Sequence, residues 1–156
     1  MEKPFNQSSL FQVSEISVSY RPKFKASQRP KITTSREAFD IIKDSWDLDR
    51  IELQEQFKIL LLNRANRVMG IYEVSSGGIS GTLADPKLIF GTALKCGASG
   101  ILLVHNHPSG NLVPSQEDIA LTRKLKNAAG LLDILLHDHL IISADGYYPF
   151  ADDGMM

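Results

Sequence analysis

Residues 100–124, with the sequence GILLVHNHPSGNLVPSQEDIALTRK, predict both the centre of the fold and a metal site. The apolar run at 101–104 is short and partly β-branched, which indicates a buried strand. His105 and His107 follow at a spacing of two. Because strand side chains alternate between the two faces, both imidazoles should project the same way. Pro108 has no N–H to donate to a sheet, so the strand should end there.

A helix is predicted to begin at Pro114–Ser115, soon after this strand. Ser115 fits the N-cap and Asp118 the third helical position, so Asp118 lies in a first turn that can face the two histidines. Two imidazoles and a carboxylate are three ligands for a divalent cation, and Zn²⁺ fits this set best. The fourth tetrahedral position stays open for water, which is typical of catalytic zinc. A capping box without a metal is the structural alternative for S-x-x-D.

This pattern resembles the JAMM (Jab/MPN) metalloprotease motif H-x-H-P-x(9)-D, with His105, His107 and Asp118 at its ligand positions. The resemblance covers roughly residues 35–153. It implies a cytidine-deaminase-like JAMM fold, a bound Zn²⁺ and hydrolysis of a peptide or isopeptide bond. Three short sequence motifs narrow the resemblance to the RadC branch of that superfamily: HNHPSG at 105–110, P-S-x-x-D at 114–118 and DHLII at 138–142.

The resemblance also implies a glutamate at the start of an upstream strand, which takes a proton from the attacking water and hands it to the leaving amine. Glu55 fits this role best, because E-x-F followed by an aliphatic run resembles the glutamate strand of the family. Glu52 and Glu73 are the alternatives. The structural alternative for Glu55 is an exposed charge at the end of a strand.

Three further polar residues are assigned roles. For Ser115 the resemblance implies a hydrogen bond to a developing oxyanion, whereas the sequence alone favours a helix cap. Asp138 and His139 match the RadC pattern. We expect them to orient a metal ligand through a hydrogen bond or to line the cleft, and not to bind the metal themselves.

The remaining chain predicts helices and strands that alternate without a strict βαβ repeat. The expected fold is a three-layer α/β/α sandwich with a mixed sheet over residues 35–156, preceded by an N-terminal strand and a basic extended arm over 1–34. Further helices should begin at Thr34–Ser35 and Asp85–Pro86, and the second should stop at Gly97. The other predicted strands are an edge strand at 13–20, a central strand at 55–62, its hairpin partner at 68–74, a strand at 132–143 interrupted by the polar residues 137–139, and a short return at 147–150.

Charge is distributed unevenly along the chain. Residues 1–36 hold seven basic and two acidic side chains, a net charge of +5, which leaves −6 for the remainder. This favours an anionic partner or docking of the arm on the body. No apolar run approaches the ~20 residues that span a bilayer, and the N-terminus lacks a secretory pattern. Cys96 is the single cysteine, so we expect a cytoplasmic protein without an internal disulfide or membrane contact.

Two function classes stay open at this point. The first is a zinc hydrolase that acts on a peptide or protein substrate. The second is a RadC-type protein associated with DNA repair, which binds nucleic acid or partner proteins without proteolysis. Because the N-terminal segment shows no helix-hairpin-helix glycine pattern, we expect nucleic-acid binding to be weak and non-specific. A metal-binding interaction domain without turnover is the structural alternative.

Overall fold

The computed structural model of the protein describes residues 14–77 and 83–156. Its strands are β1 (Gln56–Leu62), β2 (Val68–Ser76), β3 (Gly100–Asn106), β4 (Leu135–Ile142) and β5 (Tyr147–Pro149), and its helices are α1 (Ser35–Ser45), α2 (Pro86–Cys96) and α3 (Gln116–Leu131). The strands form one sheet in the order β2-β1-β3-β4-β5, in which β3 and β4 are parallel and the other neighbours are antiparallel. Every residue of the central strands β1 and β3 is buried, so both faces of the sheet must be covered.

Helices cover the two faces of the sheet. α1 packs on one face, where Phe39 and Ile42 join the aliphatic side chains of β1, β3 and β4. α2 and α3 pack on the opposite face, where Phe90 and Leu125 join the alternate side chains of the same strands. The predicted α/β/α sandwich with a mixed sheet is therefore confirmed. Among the described residues, no helix combines the length and the apolar character that a membrane span requires.

The helix ends lie where the sequence predicted them. The Thr34 hydroxyl accepts a hydrogen bond from the Glu37 N–H at 3.2 Å, which caps α1. The Asp85 carboxylate accepts one from the Lys87 N–H at 2.9 Å, which caps α2. Gly97 ends α2 in the left-handed region, with φ of 67°, where a side chain would be strained.

The predicted N-terminal edge strand at 13–20 is wrong. Val13 lies outside the described residues, and from there to Tyr20 the chain forms no regular structure. Ile16 and Val18 are 86% and 64% exposed, so their alternation with serines does not correspond to a buried face. Alternation favours a strand only where a neighbour and a core are available.

The basic arm instead lies against the beginning of β2. The Tyr20 hydroxyl donates to the Met69 carbonyl at 2.7 Å, and the Val68 N–H donates to the Pro30 carbonyl at 2.9 Å. Ile32 is buried in the same core as α1. Tyr20, Pro30 and Ile32 thus contact the part of the chain that follows position 35.

The predicted interruption of the 132–143 strand is also wrong, because β4 runs continuously through the polar residues. Ile101 is paired with Leu136, but Leu102 is paired with Asp138, so His137 is an extra residue in the ladder. Such a β-bulge changes the phase of the alternation. Consequently Asp138 faces the α1 layer, and His139 faces the layer of α2 and α3.

Asp138 joins three parts of the α1 face through its buried carboxylate. Its Oδ2 accepts a hydrogen bond from the Ser35 hydroxyl at 2.8 Å. Its Oδ1 accepts from the N–H groups of His139 at 2.8 Å and Ala151 at 2.9 Å. Burial raises the pKa of the Asp138 carboxyl, although these three hydrogen bonds oppose the shift. The carboxylate therefore ties α1, β4 and the C-terminal segment together.

We expect Asp138→Ala to lower the free energy of unfolding by roughly 2–3 kcal/mol, because it removes the acceptor from three donors, of which the His139 N–H is buried. Asp138→Asn keeps an acceptor oxygen for both N–H groups and should stay much closer to wild type. Because the folded pKa is raised, the contribution of the carboxyl is fully present below its unfolded pKa and is lost as the pH rises through the folded pKa. Urea unfolding between pH 3 and 8 should therefore show Asp138→Asn gaining stability relative to wild type as the pH rises. Equal losses in Asp138→Ala and Asp138→Asn would contradict the acceptor role.

Candidate metal centre

Three side chains that the sequence predicted as ligands lie together at the end of β3. His105 is the sixth residue of this strand, His107 continues its ladder with an N–H donated to the Ile142 carbonyl at 3.0 Å, and Asp118 lies in the first turn of α3. One nitrogen or oxygen from each residue lies within 4.8 Å of those of the other two. The strand end and the helix start therefore converge on one point, as the spacing predicted.

The separations within this cluster fit a tetrahedral ion. His105 Nε2 lies 3.1 Å from His107 Nε2 and 3.1 Å from Asp118 Oδ1, and His107 Nε2 lies 3.4 Å from Asp118 Oδ2. Ligand atoms of a tetrahedral ion bound at 2.0–2.1 Å lie about 3.3–3.4 Å apart. The His105–His107–Asp118 cluster can accordingly hold a metal ion without large rearrangement.

The tautomer of His107 is fixed by a backbone carbonyl. His107 Nδ1 lies 2.6 Å from the Asn111 carbonyl oxygen. A carbonyl oxygen only accepts hydrogen bonds, so Nδ1 carries the proton and donates. In the neutral ring, Nε2 then has a free lone pair directed at the cluster, as a metal ligand requires.

The tautomer of His105 is fixed in the same way through a longer chain. The Thr122 hydroxyl donates to the Asp118 carbonyl oxygen at 2.7 Å, so its oxygen must accept from His139 Nδ1 at 2.6 Å. His139 Nε2 is then an acceptor, and it lies 2.8 Å from His105 Nδ1. His105 therefore donates through Nδ1, and its Nε2 is also free. Two neutral nitrogens with lone pairs facing each other at 3.1 Å repel unless a cation lies between them.

His139 is enclosed so that it stays neutral. The residue is 0% exposed, and its ring stacks on Phe150 with centroids 4.7 Å apart. Phe57 lies on another side at 5.7 Å. Burial lowers the pKa of His139 well below its ordinary value. A neutral His139 can accept from His105, which a protonated ring could not do.

Asp118 is both a helix cap and a member of the cluster. Its Oδ2 accepts from the Ser115 N–H at 2.8 Å, and the Ser115 hydroxyl accepts from the Asp118 N–H at 3.1 Å. Burial would raise the pKa of Asp118, but interactions with the imidazoles of His105 and His107, which are strongest when these rings carry a proton on Nε2, outweigh it and hold the pKa well below its usual range. The Asp118 hydrogen bond raises the pKa of His107 in turn, against the effect of burial. A proton and a metal ion therefore compete for His107 Nε2.

Of the three candidate glutamates, the structure brings Glu55 beside the cluster. Phe57 is paired with His105, and Glu55 lies two residues earlier, immediately before β1 begins. Burial raises the pKa of the half-buried Glu55 carboxyl, the charges of His105 and His107 lower it, and that of Asp118 raises it. Glu55 is thus close enough to interact electrostatically with His105, His107 and Asp118.

The alternatives Glu52 and Glu73 lie elsewhere. Glu52 is exposed in the turn before β1. Glu73 is paired with Lys58, whose ammonium lies over the Trp46 ring in the α1 layer. A hydrogen bond from the Ser76 hydroxyl lowers the pKa of Glu73. Its carboxylate therefore belongs to the face opposite the cluster.

A family model described as RadC-like JAB domain matches residues 32–155. The chain belongs to this family. A protein of Flavobacterium johnsoniae named UPF0758 protein is 45% identical over 126 residues, covering 80% of this chain and 53% of that protein. Relatives with the same name in Porphyromonas gingivalis and Aquifex aeolicus are 43% identical over 137 residues and 36% over 140 residues, covering 86% and 89% of this chain and 59% of each relative. The chain therefore spans a little over half the length of these relatives, and their names state no activity.

Within this RadC-like JAB domain, Asp138 and His139 of the DHLII motif face opposite sides of the sheet. His139 contacts the ligand His105, as described above. Asp138 does not reach the cluster, because it is the strand neighbour of His139 and alternation turns its carboxylate to the α1 face. The sequence analysis placed both residues around the metal, although consecutive residues of a strand face opposite sides of the sheet.

The sequence reading missed Thr122 and Asn106. Thr122 lies four residues after Asp118 and hence on the same side of α3, so helical spacing could have identified it. Asn106 lies between the two ligand histidines, and alternation sends its side chain the other way. No signal in the single sequence identified the partners of Asn106, which are backbone groups of the segment before β1.

The direction of the hydrogen-bond chain can be measured in the metal-free protein. Near pH 7, ¹H–¹⁵N spectra of the imidazoles should show His139 and His105 both protonated at Nδ1. Thr122→Val keeps the size of the side chain but removes the acceptor of the His139 proton, so the tautomer population of His139 should change. Thr122→Ser keeps the hydroxyl and serves as the control. A wild-type His139 protonated at Nε2 would contradict the assigned direction.

Proposed function

We propose that this RadC-like JAB domain is a zinc-dependent hydrolase of the JAMM type, which cleaves a peptide or isopeptide bond in a protein substrate. The observation that carries the proposal is the convergence of His105, His107 and Asp118, with both imidazole Nε2 atoms free, beside the half-buried Glu55. A buried cluster of nitrogen and carboxylate donors with a neighbouring acid/base group is the arrangement expected of a catalytic zinc site.

Three side chains would bind the zinc ion, and two further groups orient their imidazoles. His105, His107 and Asp118 would hold Zn²⁺, and two of them are oriented by hydrogen bonds to Asn111 and His139. Zinc bound there would act as a Lewis acid and lower the pKa of a coordinated water to about 7. His139 and the Asn111 carbonyl keep the ligand nitrogens aimed without using a proton of their own, which is how such partners raise metal affinity.

Glu55 is proposed as the general acid/base. Its carboxylate accepts the proton of the attacking water and returns it to the amine that leaves. Because burial raises the pKa of this carboxyl, it holds a proton more readily than an exposed glutamate, which suits a group that must accept and then release one. Ser115 is proposed to donate its hydroxyl hydrogen to the developing oxyanion, since its oxygen already accepts from the Asp118 N–H.

Nucleic-acid binding is the second candidate function, favoured by the basic side chains of the arm. Among residues 14–34, which the structure describes, the regular structure is a 3-10 turn at Ala26–Gln28 and no α-helix forms. A helix or ribbon of sufficient length is what reads base edges in a groove. We therefore infer that any contact with nucleic acid is weak, phosphate-directed and non-specific.

We predict one zinc ion per chain in protein that has been saturated with zinc and then dialysed. His107→Ala removes one of three ligands and should bind far less. His137→Ala removes a half-buried histidine outside the cluster and should keep the wild-type stoichiometry. Elemental analysis measures all three. A wild-type content near zero that His107→Ala leaves unchanged would exclude the site.

Glu55→Gln keeps the size of the side chain and removes its ability to accept a proton. It should leave the zinc content at one per chain while hydrolysis falls about 10²–10⁴-fold, the usual contribution of a positioned acid/base. The substrate would come from a screen of peptides, isopeptide-linked proteins and DNA, with and without chelator. Glu73→Gln is the matched control and should change turnover little.

Two outcomes would overturn the assignment of Glu55. Wild-type turnover in Glu55→Gln, combined with an inactive Glu73→Gln, would move the acid/base role to β2. Loss of zinc from Glu55→Gln would make Glu55 a ligand. Asp118→Ala, in contrast, should lose zinc and activity together.

A further inference from the structure

Asn106 lies between the two ligand histidines but faces away from them. It is 0% exposed and is paired with Ile142 of β4, and it follows His105, which is paired with Phe57 of β1. Because side chains alternate along β3, the amide points to the side opposite His105 and His107. A buried amide there needs partners for two N–H groups and one carbonyl.

All of these partners are backbone groups of the segment that carries Glu55. Asn106 Nδ2 donates to the carbonyls of Ile51 at 2.7 Å and Gln54 at 2.9 Å. Asn106 Oδ1 accepts from the Gln56 N–H at 2.7 Å. These three bonds therefore hold the chain on both sides of Glu55.

Glu55 is also held through hydrogen bonds of its neighbours, those of Gln54 with Arg50 and those of Gln56 with Glu73 and Ser76. Its own carbonyl accepts from the Gly77 N–H at 2.8 Å, and the Gln54 side chain donates to the Gly77 carbonyl at 3.1 Å. Both bonds tie the segment to the end of β2. Only the Asn106 bonds, among those the structure describes for residues 54–56, come from the strand that carries His105.

We propose that Asn106 is a positioning residue, which sets the place of the Glu55 carboxylate relative to the metal ligands. This inference rests on the proposed function, in which Glu55 moves the proton. In the tripeptide His105–Asn106–His107, the outer residues bind the metal and the middle residue holds the acid/base segment. An error of about 1 Å in such a placement costs on the order of 10²-fold in rate.

The amide is required because two of its three partners are carbonyl oxygens. Aspartate has acceptors only, so Asn106→Asp keeps the Gln56 bond and sets a carboxylate oxygen against the carbonyls of Ile51 and Gln54. Asn106→Ser is the milder variant, since a hydroxyl can still accept from the Gln56 N–H but cannot donate to both carbonyls.

Asn63 provides a matched control at the other end of β1. Its Oδ1 accepts from the N–H groups of Ala65 and Arg67, both at 3.0 Å, so it also holds a backbone turn. Asn63→Ala should disturb this turn without moving Glu55. An effect on stability alone would thus appear in both sets of variants, and an effect on turnover only in those of Asn106.

The test combines turnover with a measurement that does not depend on activity. In Asn106→Asp and Asn106→Ser, zinc stoichiometry should remain one per chain, kcat should fall roughly 10–100-fold and KM should change little. With Co²⁺ bound at the cluster as a paramagnetic probe, the pseudocontact shifts of Glu55 should change in both variants. Asn63→Ala should leave kcat and these shifts unchanged.

Each outcome supports or overturns the positioning role. Unchanged Glu55 shifts in Co²⁺-loaded Asn106→Asp and Asn106→Ser would overturn it, as would loss of zinc in parallel with activity. If the wild-type protein shows no hydrolysis, the proposed function fails, and the Co²⁺ shifts still decide whether Asn106 places Glu55. If one Asn106 variant does not fold, the other carries the same comparison.

Discussion

The antiparallel register between β1 and β3 is the constraint on which the rest of the site depends. Pairing Phe57 with His105 brings the segment ahead of β1 to the end of β3, where the two ligand histidines lie. A shift of one residue would turn every side chain of β1 to the other face. That shift would cost the burial of Ile59 and Leu61 against α2, so the apolar core enforces the alignment that the polar site needs.

Backbone carbonyls, which can only accept, give the buried polar network a single direction. The Asn111 carbonyl orders His107, and the Asp118 carbonyl orders Thr122, His139 and His105 in turn. While the imidazole rings are neutral, each proton in this series of hydrogen bonds can lie on one atom only. The two Nε2 atoms are therefore oriented by the fold itself, and a metal ion that bound there would not have to reorient an imidazole.

The sequence predicted those parts of the fold and site that depend on local rules. Strand alternation, helix capping and the spacing of His105, His107 and Asp118 are local, and the structure places all of them as expected. The N-terminal strand was wrong because alternation near Ile16 has no neighbouring strand to pair with. The choice between Glu55 and Glu73 needed the register of β1 with both neighbours, which a single sequence does not contain. The extra residue that precedes Asp138 in β4 could be found only from the pairing of β4 with β3.

That extra residue, His137, also determines how this strand can vary in length during evolution. β4 consists of two halves, one ending at Leu136 and one beginning at Asp138. Side chains alternate between the two faces within each half, and His137 lies between the halves without a partner in β3. A chain that lost His137 would keep Asp138 and His139 on their present faces. Loss of Leu140 instead would turn His139 towards α1 and leave His105 without its acceptor. Position 137 is thus the point where a deletion in β4 leaves the His105–His107–Asp118 cluster and its partner His139 in place.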